Sequence, residues 1–143
     1  MTLRELYNLY YIEQEIEEYK AKIAELRDIA ENITPKYTGM PSGNGKSDKV
    51  GETATTIVIY TEMLEKALKD RIEQSARITE YILTIEDAQL RQIMYLRFIN
   101  RMTWRQVANR IGGNNTEDSV RKRCNRFVRE NKKLSDMSQT EAV

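Results

Sequence analysis

The sequence predicts an all-α protein, with an N-terminal antiparallel, coiled-coil-like helical hairpin followed by a small helix-turn-helix module. Three observations lead to this expectation. Residues Leu3–Ile33 contain neither Gly nor Pro and repeat their apolar residues in steps of three and four. A second run free of Gly and Pro covers residues 54–83. The last third holds two Thr-led helix starts separated by a Gly-Gly pair.

In the first run, Leu9, Ile12, Ile16, Tyr19, Ile23, Leu26, Ala30 and Ile33 step by 3, 4, 3, 4, 3, 4 and 3. That is a heptad seam, the pattern of a helix that packs along its length against a partner helix. Such a helix would be about 46 Å long at 1.5 Å per residue. Tyr7, Tyr10 and Tyr11 widen the apolar face near its start and read as packing residues.

Thr34–Thr53, TPKYTGMPSGNGKSDKVGET, holds both prolines and four of the six glycines, so the helix must stop there. The expectation is a mobile loop that touches a partner through Lys46 and Lys49. Gly45-Lys46-Ser47 is not a phosphate loop: Met40 stands where the leading Gly is required, and no strand precedes it.

Helical spacing resumes in residues 54–83 with Ile57, Leu64, Leu68, Ile72 and Ile82, a stripe interrupted by Thr61, Ser75 and Thr79. Glu62–Lys66 and Glu65–Lys69 are favourable i,i+4 pairs on a solvated face. Residues 1–83 are thus expected to form the hairpin, serving oligomerisation or partner binding, with a homodimer through these helices.

A basic module is expected over 84–133, with 134–143 as a disordered tail. Thr84-Ile85-Glu86-Asp87 reads as a capping box opening a helix through Leu90, Ile93, Met94, Leu96, Arg97 and Phe98, broken at Asn100-Arg101. Thr103-Trp104-Arg105-Gln106 is a second capping box, with Val107, Ala108 and Ile111 inward. Gly112 and Gly113 stop that helix through a left-handed cap. Thr116 is a good N-cap for a last helix over about 116–130, and Glu117 and Asp118 suit its first turn. A short helix, a Gly turn and a longer basic helix form a helix-turn-helix pattern.

The net charge of +1 conceals a strong asymmetry. Residues 1–87 carry 11 Lys/Arg against 17 Asp/Glu, and residues 88–143 carry 12 against 5. The expectation is a polyanion partner for the second half and a protein partner for the first. The absence of histidine excludes His-based triads and His-ligated zinc. Cys124 is the only cysteine, so no internal disulfide forms and a reducing compartment is expected. No apolar run reaches a membrane span, and Met1–Tyr10 lacks a signal-peptide pattern, which points to the cytoplasm. The carboxylates of Glu13–Glu18 fall on a charged helix face, so no enzyme, metal or cofactor is expected.

With Val120, Cys124 and Phe127 turned inward, a helical wheel points Asp118, Lys122, Asn125, Arg126 and Arg129 outward, flanked by Ser119 and Arg121. Asp118, Ser119, Arg121, Lys122, Asn125 and Arg126 are the candidates for base readout in a DNA major groove. Arg and Lys pair with guanine O6/N7, and Asn with adenine N6/N7. Arg101, Thr103, Arg105, Arg110, Thr116, Arg123, Arg129, Lys132 and Lys133 are the candidates for phosphate contacts.

LRQIMYLRFINRMTWRQVANRIGG and TEDSVRKRCNRF resemble the C-terminal DNA-binding region of sigma-70-type factors, as carried by phage-encoded regulators of the ArpU/RinA kind. The upstream GMPSGNGKSDKVGETA resembles a linker of the same phage proteins, and the likeness extends over about residues 3–130. The resemblance implies a sigma-region-4-like helix-turn-helix and a phage or prophage late-gene transcriptional regulator, acting on double-stranded promoter DNA in the bacterial cytoplasm. Val120, Arg121 and Arg123 match position by position. The turn does not: seven residues, Gly113 to Ser119, stand where the sigma pattern has about five, which predicts a different helix crossing. Two other classes fit the same sequence. One is a DNA-packaging recognition protein like a phage terminase small subunit; the other binds RNA polymerase without reading DNA.

Overall fold

A computed structural model describes residues 1–33 and 47–141 of the chain. Among these residues the protein is all α, with no strand. The elements are α1 (Leu3–Ile33), α2 (Ser47–Leu83), α3 (Ala88–Met94) running into a π-helical segment (Tyr95–Ile99), α4 (Trp104–Ile111) and α5 (Glu117–Glu141). The loop expected over 34–53 falls outside the described residues up to position 46. From Ser47 onward the chain is already helical, and Lys49 lies exposed on the first turn of α2. Gly51 sits inside that helix with open space around its Cα, so helix continuity overrides its poor propensity.

The chain divides into two compact units, and α1 and α2 contribute to both. The expected division near residue 83 differs from this one. The first unit joins Met1–Tyr11 to Arg71–Val143, and the second spans Ile12–Asp70. Composition changes at residue 88, but the core that α3–α5 need is completed by Leu6 and Leu9 of α1 and by Ile78 and Ile82 of α2. A module of residues 84–133 alone would leave that apolar surface uncovered.

In the second unit part of the heptad seam is buried. Ile12 and Ile16 cluster with Ala67, flanked by Tyr19, Leu64 and Leu68. Tyr19 and Tyr60 meet with ring centroids 6.2 Å apart. The partners run in opposite order along the two helices. Thr61 interrupts the stripe without leaving a hydroxyl unpaired, because its Oγ1 donates to the Ile57 carbonyl at 2.8 Å. In the first unit Thr79 does the same to the Ser75 carbonyl, also at 2.8 Å. Ile72, expected inward, is 66% exposed; Ala67 and Ile78 take the buried positions instead.

The first unit holds the main core: Leu90, Ile93, Met94, Phe98, Trp104, Val107, Val120, Cys124 and Val128 beside the four residues from α1 and α2. Asp87, rather than Thr84, caps α3. Its Oδ1 accepts the Gln89 and Leu90 N–H groups, whereas Thr84 Oγ1 turns back to the Tyr81 carbonyl and finishes α2. The end of the α3 helix widens into a π-helix, closed by Asn100 N–H to the Tyr95 carbonyl at 3.1 Å. Arg101 then adopts φ +57°, and Met102 N–H reaches the Leu96 carbonyl at 3.0 Å. That left-handed residue is where the chain breaks, at the position the Asn100-Arg101 pair predicts. Residues expected to form a disordered tail continue α5 to Glu141 instead, because no Gly or Pro interrupts the helix after Gly113.

Candidate nucleic-acid interface

α4 opens on the predicted capping box. Thr103 Oγ1 accepts the Gln106 N–H at 3.2 Å, and Gln106 Oε1 accepts the Thr103 N–H at 2.9 Å. Gly112 (φ +73°) and Gly113 (φ +65°) end it, as their left-handed conformations require. Asn115 Nδ2 donates to the Gly112 carbonyl at 3.0 Å and braces the turn. α5 then starts from a reciprocal pair in which Thr116 Oγ1 accepts the Ser119 N–H and Ser119 Oγ accepts the Thr116 N–H. Glu117 and Asp118 stand in its first turn, favourable to the helix dipole. α4 packs most extensively on α5, through Val107 and Ala108 on one side and Val120 and Cys124 on the other. Together they leave one side of α5 in solvent.

That side carries most of the predicted residues. Asp118, Ser119, Arg121, Lys122, Arg126 and Arg129 are exposed, as are Lys132 and Lys133 further along. Asp118 holds the first basic residues in place, with Oδ1 2.6 Å from Arg121 Nη2 and Oδ2 2.5 Å from Lys122 Nζ. Its carboxyl is kept below the usual Asp range, by Lys122 first and then Arg121. Arg101, Arg105 and Arg110 are also exposed, while Thr103 and Thr116 spend their hydroxyls on capping.

Two predicted residues need correction. Arg123, expected on a phosphate, is half-buried and bonded to Asp87 Oδ2 and Gln89 Oε1, so it ties α5 to the start of α3. The N–H of Leu90 is the main reason that Asp87 stays below its ordinary range, with Arg123 adding to it. Asn125, expected outward, is half-buried, and its Oδ1 is enclosed without a hydrogen-bond partner among the described residues. The buried stripe of α5 is Val120, Cys124 and Val128, with Phe127 only partly covered. That choice rotates the inward face toward Asn125 and leaves Ser119, Lys122, Arg126 and Arg129 facing water.

Sequence reasoning missed Arg97. Its guanidinium lies over the Trp104 ring at 4.8 Å and the Tyr7 ring at 5.4 Å, and Nη1 donates to the Met102 carbonyl at 2.7 Å. A lone charge within the apolar run IMYLRFI was the available signal. Cys124 is fully buried, and that burial pushes its thiol up to about 12, which leaves it as core. None of the described helices is long and apolar enough to cross a membrane.

Residues 31–126, about two-thirds of the chain, match the model of a family described as "Protein of unknown function (DUF1492)". The chain belongs to that family. No curated protein and no solved structure matches it.

Proposed function

We propose that this DUF1492 protein is a sequence-specific, double-stranded-DNA-binding transcriptional regulator of the phage ArpU/RinA kind, with α4 and α5 as a sigma-region-4-like helix-turn-helix. The observation that supports the reading is the solvent face of α5. A capped helix held by α4 presents Lys122, Arg126 and Arg129 side by side, within a stretch (88–133) that carries 12 Lys/Arg and only 3 Asp/Glu. Arg and Lys at this spacing read guanine edges in the major groove. Arg105, Arg110, Lys132 and Lys133 surround that face and supply phosphate contacts. Asp118, Ser119 and Arg121 complete the readout set; Asn125 leaves it, and Arg123 leaves the phosphate set.

In this reading the protein acts by binding alone, with no catalytic step or cofactor, in the cytoplasm of a bacterial host. The N-terminal helices dimerise it, a role supported by Val58, Ile59 and Met63, which expose apolar surface on α2 at 56%, 51% and 40%. The test is selection from a randomised duplex pool at about 150 mM salt, where non-specific electrostatic binding is weak. Enrichment of a motif with two half-sites is the expected result. Binding at low salt with no enriched motif overturns the readout, and assembly into a ring of many copies favours DNA packaging instead.

A further inference from the structure

The first unit contains a pocket of about 310 Å³ lined by no residue of α5. We propose that this pocket, walled by Tyr7, Tyr10, Tyr11 and Phe98 and edged by Arg97 and Arg101, binds a small planar aromatic carboxylate. The volume is that of about ten liquid-water molecules, enough for one ring and its carboxylate. It lies at the lower end of small-ligand sites.

Three independent features support the assignment. The first is the lining: two guanidinium groups, four aromatic rings, Leu6, and no carboxylate. Rings stack with a planar ligand, and a guanidinium pairs with a carboxylate through two parallel hydrogen bonds. The second is Arg97 itself. It lies between the Tyr7 and Trp104 rings, and its Nε is buried with no hydrogen-bond partner among the described residues, although Nη1 is bonded. The two rings and the Nη1 bond hold the guanidinium in place at the pocket edge, while Nε itself, closed to water, is not the group that meets a ligand. The third is the backbone. A π-helical segment carries both Arg97 and Phe98, and Arg101 holds a left-handed conformation where glycine would fit without steric cost. The fold keeps a long cationic side chain at a position that disfavours one, and that side chain lines the pocket.

Tyr10 and Tyr11 sit 49% and 60% exposed, with their rings 5.7 Å apart edge to face, so the entrance is aromatic rather than closed. The site shares Arg101 with the expected phosphate contacts but no residue with the α5 face, and its test needs no DNA. The probe is salicylate, titrated into the isotope-labelled full chain and followed by amide resonances. The expected result is saturable shifts centred on Tyr7, Tyr10, Phe98 and Arg101, with acetate and benzyl alcohol each binding at least tenfold more weakly. Arg101→Gly should raise the salicylate Kd at least tenfold in a chain that stays folded. Unsaturable shifts scattered over surface Lys and Arg overturn the proposal. So does acetate matching salicylate, or an unchanged Kd in Arg101→Gly.

Discussion

Trp104 shows how one side chain can tie the module together. Its ring is 8% exposed, set edge-on to Phe98 at 6.3 Å and covered by the Arg97 guanidinium. Trp104→Ala should therefore cost about 3–5 kcal/mol in urea unfolding, from the cavity and the lost cation–π contact together. A loss below about 1 kcal/mol would mean that the indole is dispensable. Arg123 and Arg126 lie one turn apart on α5 but belong to different interactions. Arg126→Ala should weaken duplex binding by about 1–3 kcal/mol and relax the preference at one base, whereas Arg123→Ala should leave that preference unchanged and loosen the α3–α5 junction. The partner of Arg123 adds a pH signature. Asp87 is depressed in the fold, so the stability it gives is present above the ordinary Asp range and lost as pH falls through its lower folded value. The stability gap between the wild type and Asp87→Asn, measured from pH 7 downward, should close on the acid side. Cys124 gives the opposite sign. Its stabilisation is complete below the ordinary thiol value of 9.0 and fades as pH rises from there to about 12. Labelling of the native protein by a thiol reagent at pH 8 should be slow, and denaturant should release it.

At the level of elements, the helix boundaries set by local chemistry were legible in the sequence. The α4 capping box, the Gly112-Gly113 stop and the Thr116 start depend on side chains within four residues of the groups they satisfy, so they could be read directly. Thr103→Ala should cost about 1 kcal/mol, and thermal unfolding of the full chain would register it. At Gly113 an added Cβ meets only Asn115 Nδ2, at 4.0 Å, so Gly113→Ala tests the backbone alone. The φ of +65° predicts a loss of about 1–2 kcal/mol without any clash. Elements set by distant partners were not legible. Thr84 reads as the N-cap in the sequence, but the last turn of α2 takes its hydroxyl at the Tyr81 carbonyl and leaves the cap to Asp87. The π-helical segment has the same apolar pattern as the α-helix it replaces, so nothing in its residues marks the extra residue per turn. Arg123 appeared free on a helical wheel because its carboxylate lies 36 residues earlier in the chain.

Across the whole molecule, charge and packing divide the chain in different places, and each division has its own consequence. Charge changes sign at residue 88, but the compact unit that contains α3–α5 also claims Met1–Tyr11 and the end of α2. The heptad seam in the sequence therefore serves two cores, with Leu9 in one and Ile12 and Ile16 in the other. Spacing alone gives no sign of the change of partner, because the 3,4 rhythm continues through it. The basic module thus depends on the acidic N-terminus for its fold as well as for its proposed dimerisation. Leu6 and Leu9 are 1% and 3% exposed in a core shared with Val107 and Val120. Leu6→Ala, more than 80 residues before α5, should cost about 2–5 kcal/mol and lower duplex affinity only where the unit begins to unfold. The effect of Lys122→Ala should be independent of stability, with affinity falling and Tm unchanged. Measuring both variants for Tm and for duplex binding, at 10 °C and again near the Leu6→Ala midpoint, separates the roles. If Leu6→Ala binds normally when cold and fails on warming, the N-terminal turns support the reader. A loss of affinity at 10 °C with the fold intact would place Leu6 near the DNA itself and move the interface to the other side of the unit.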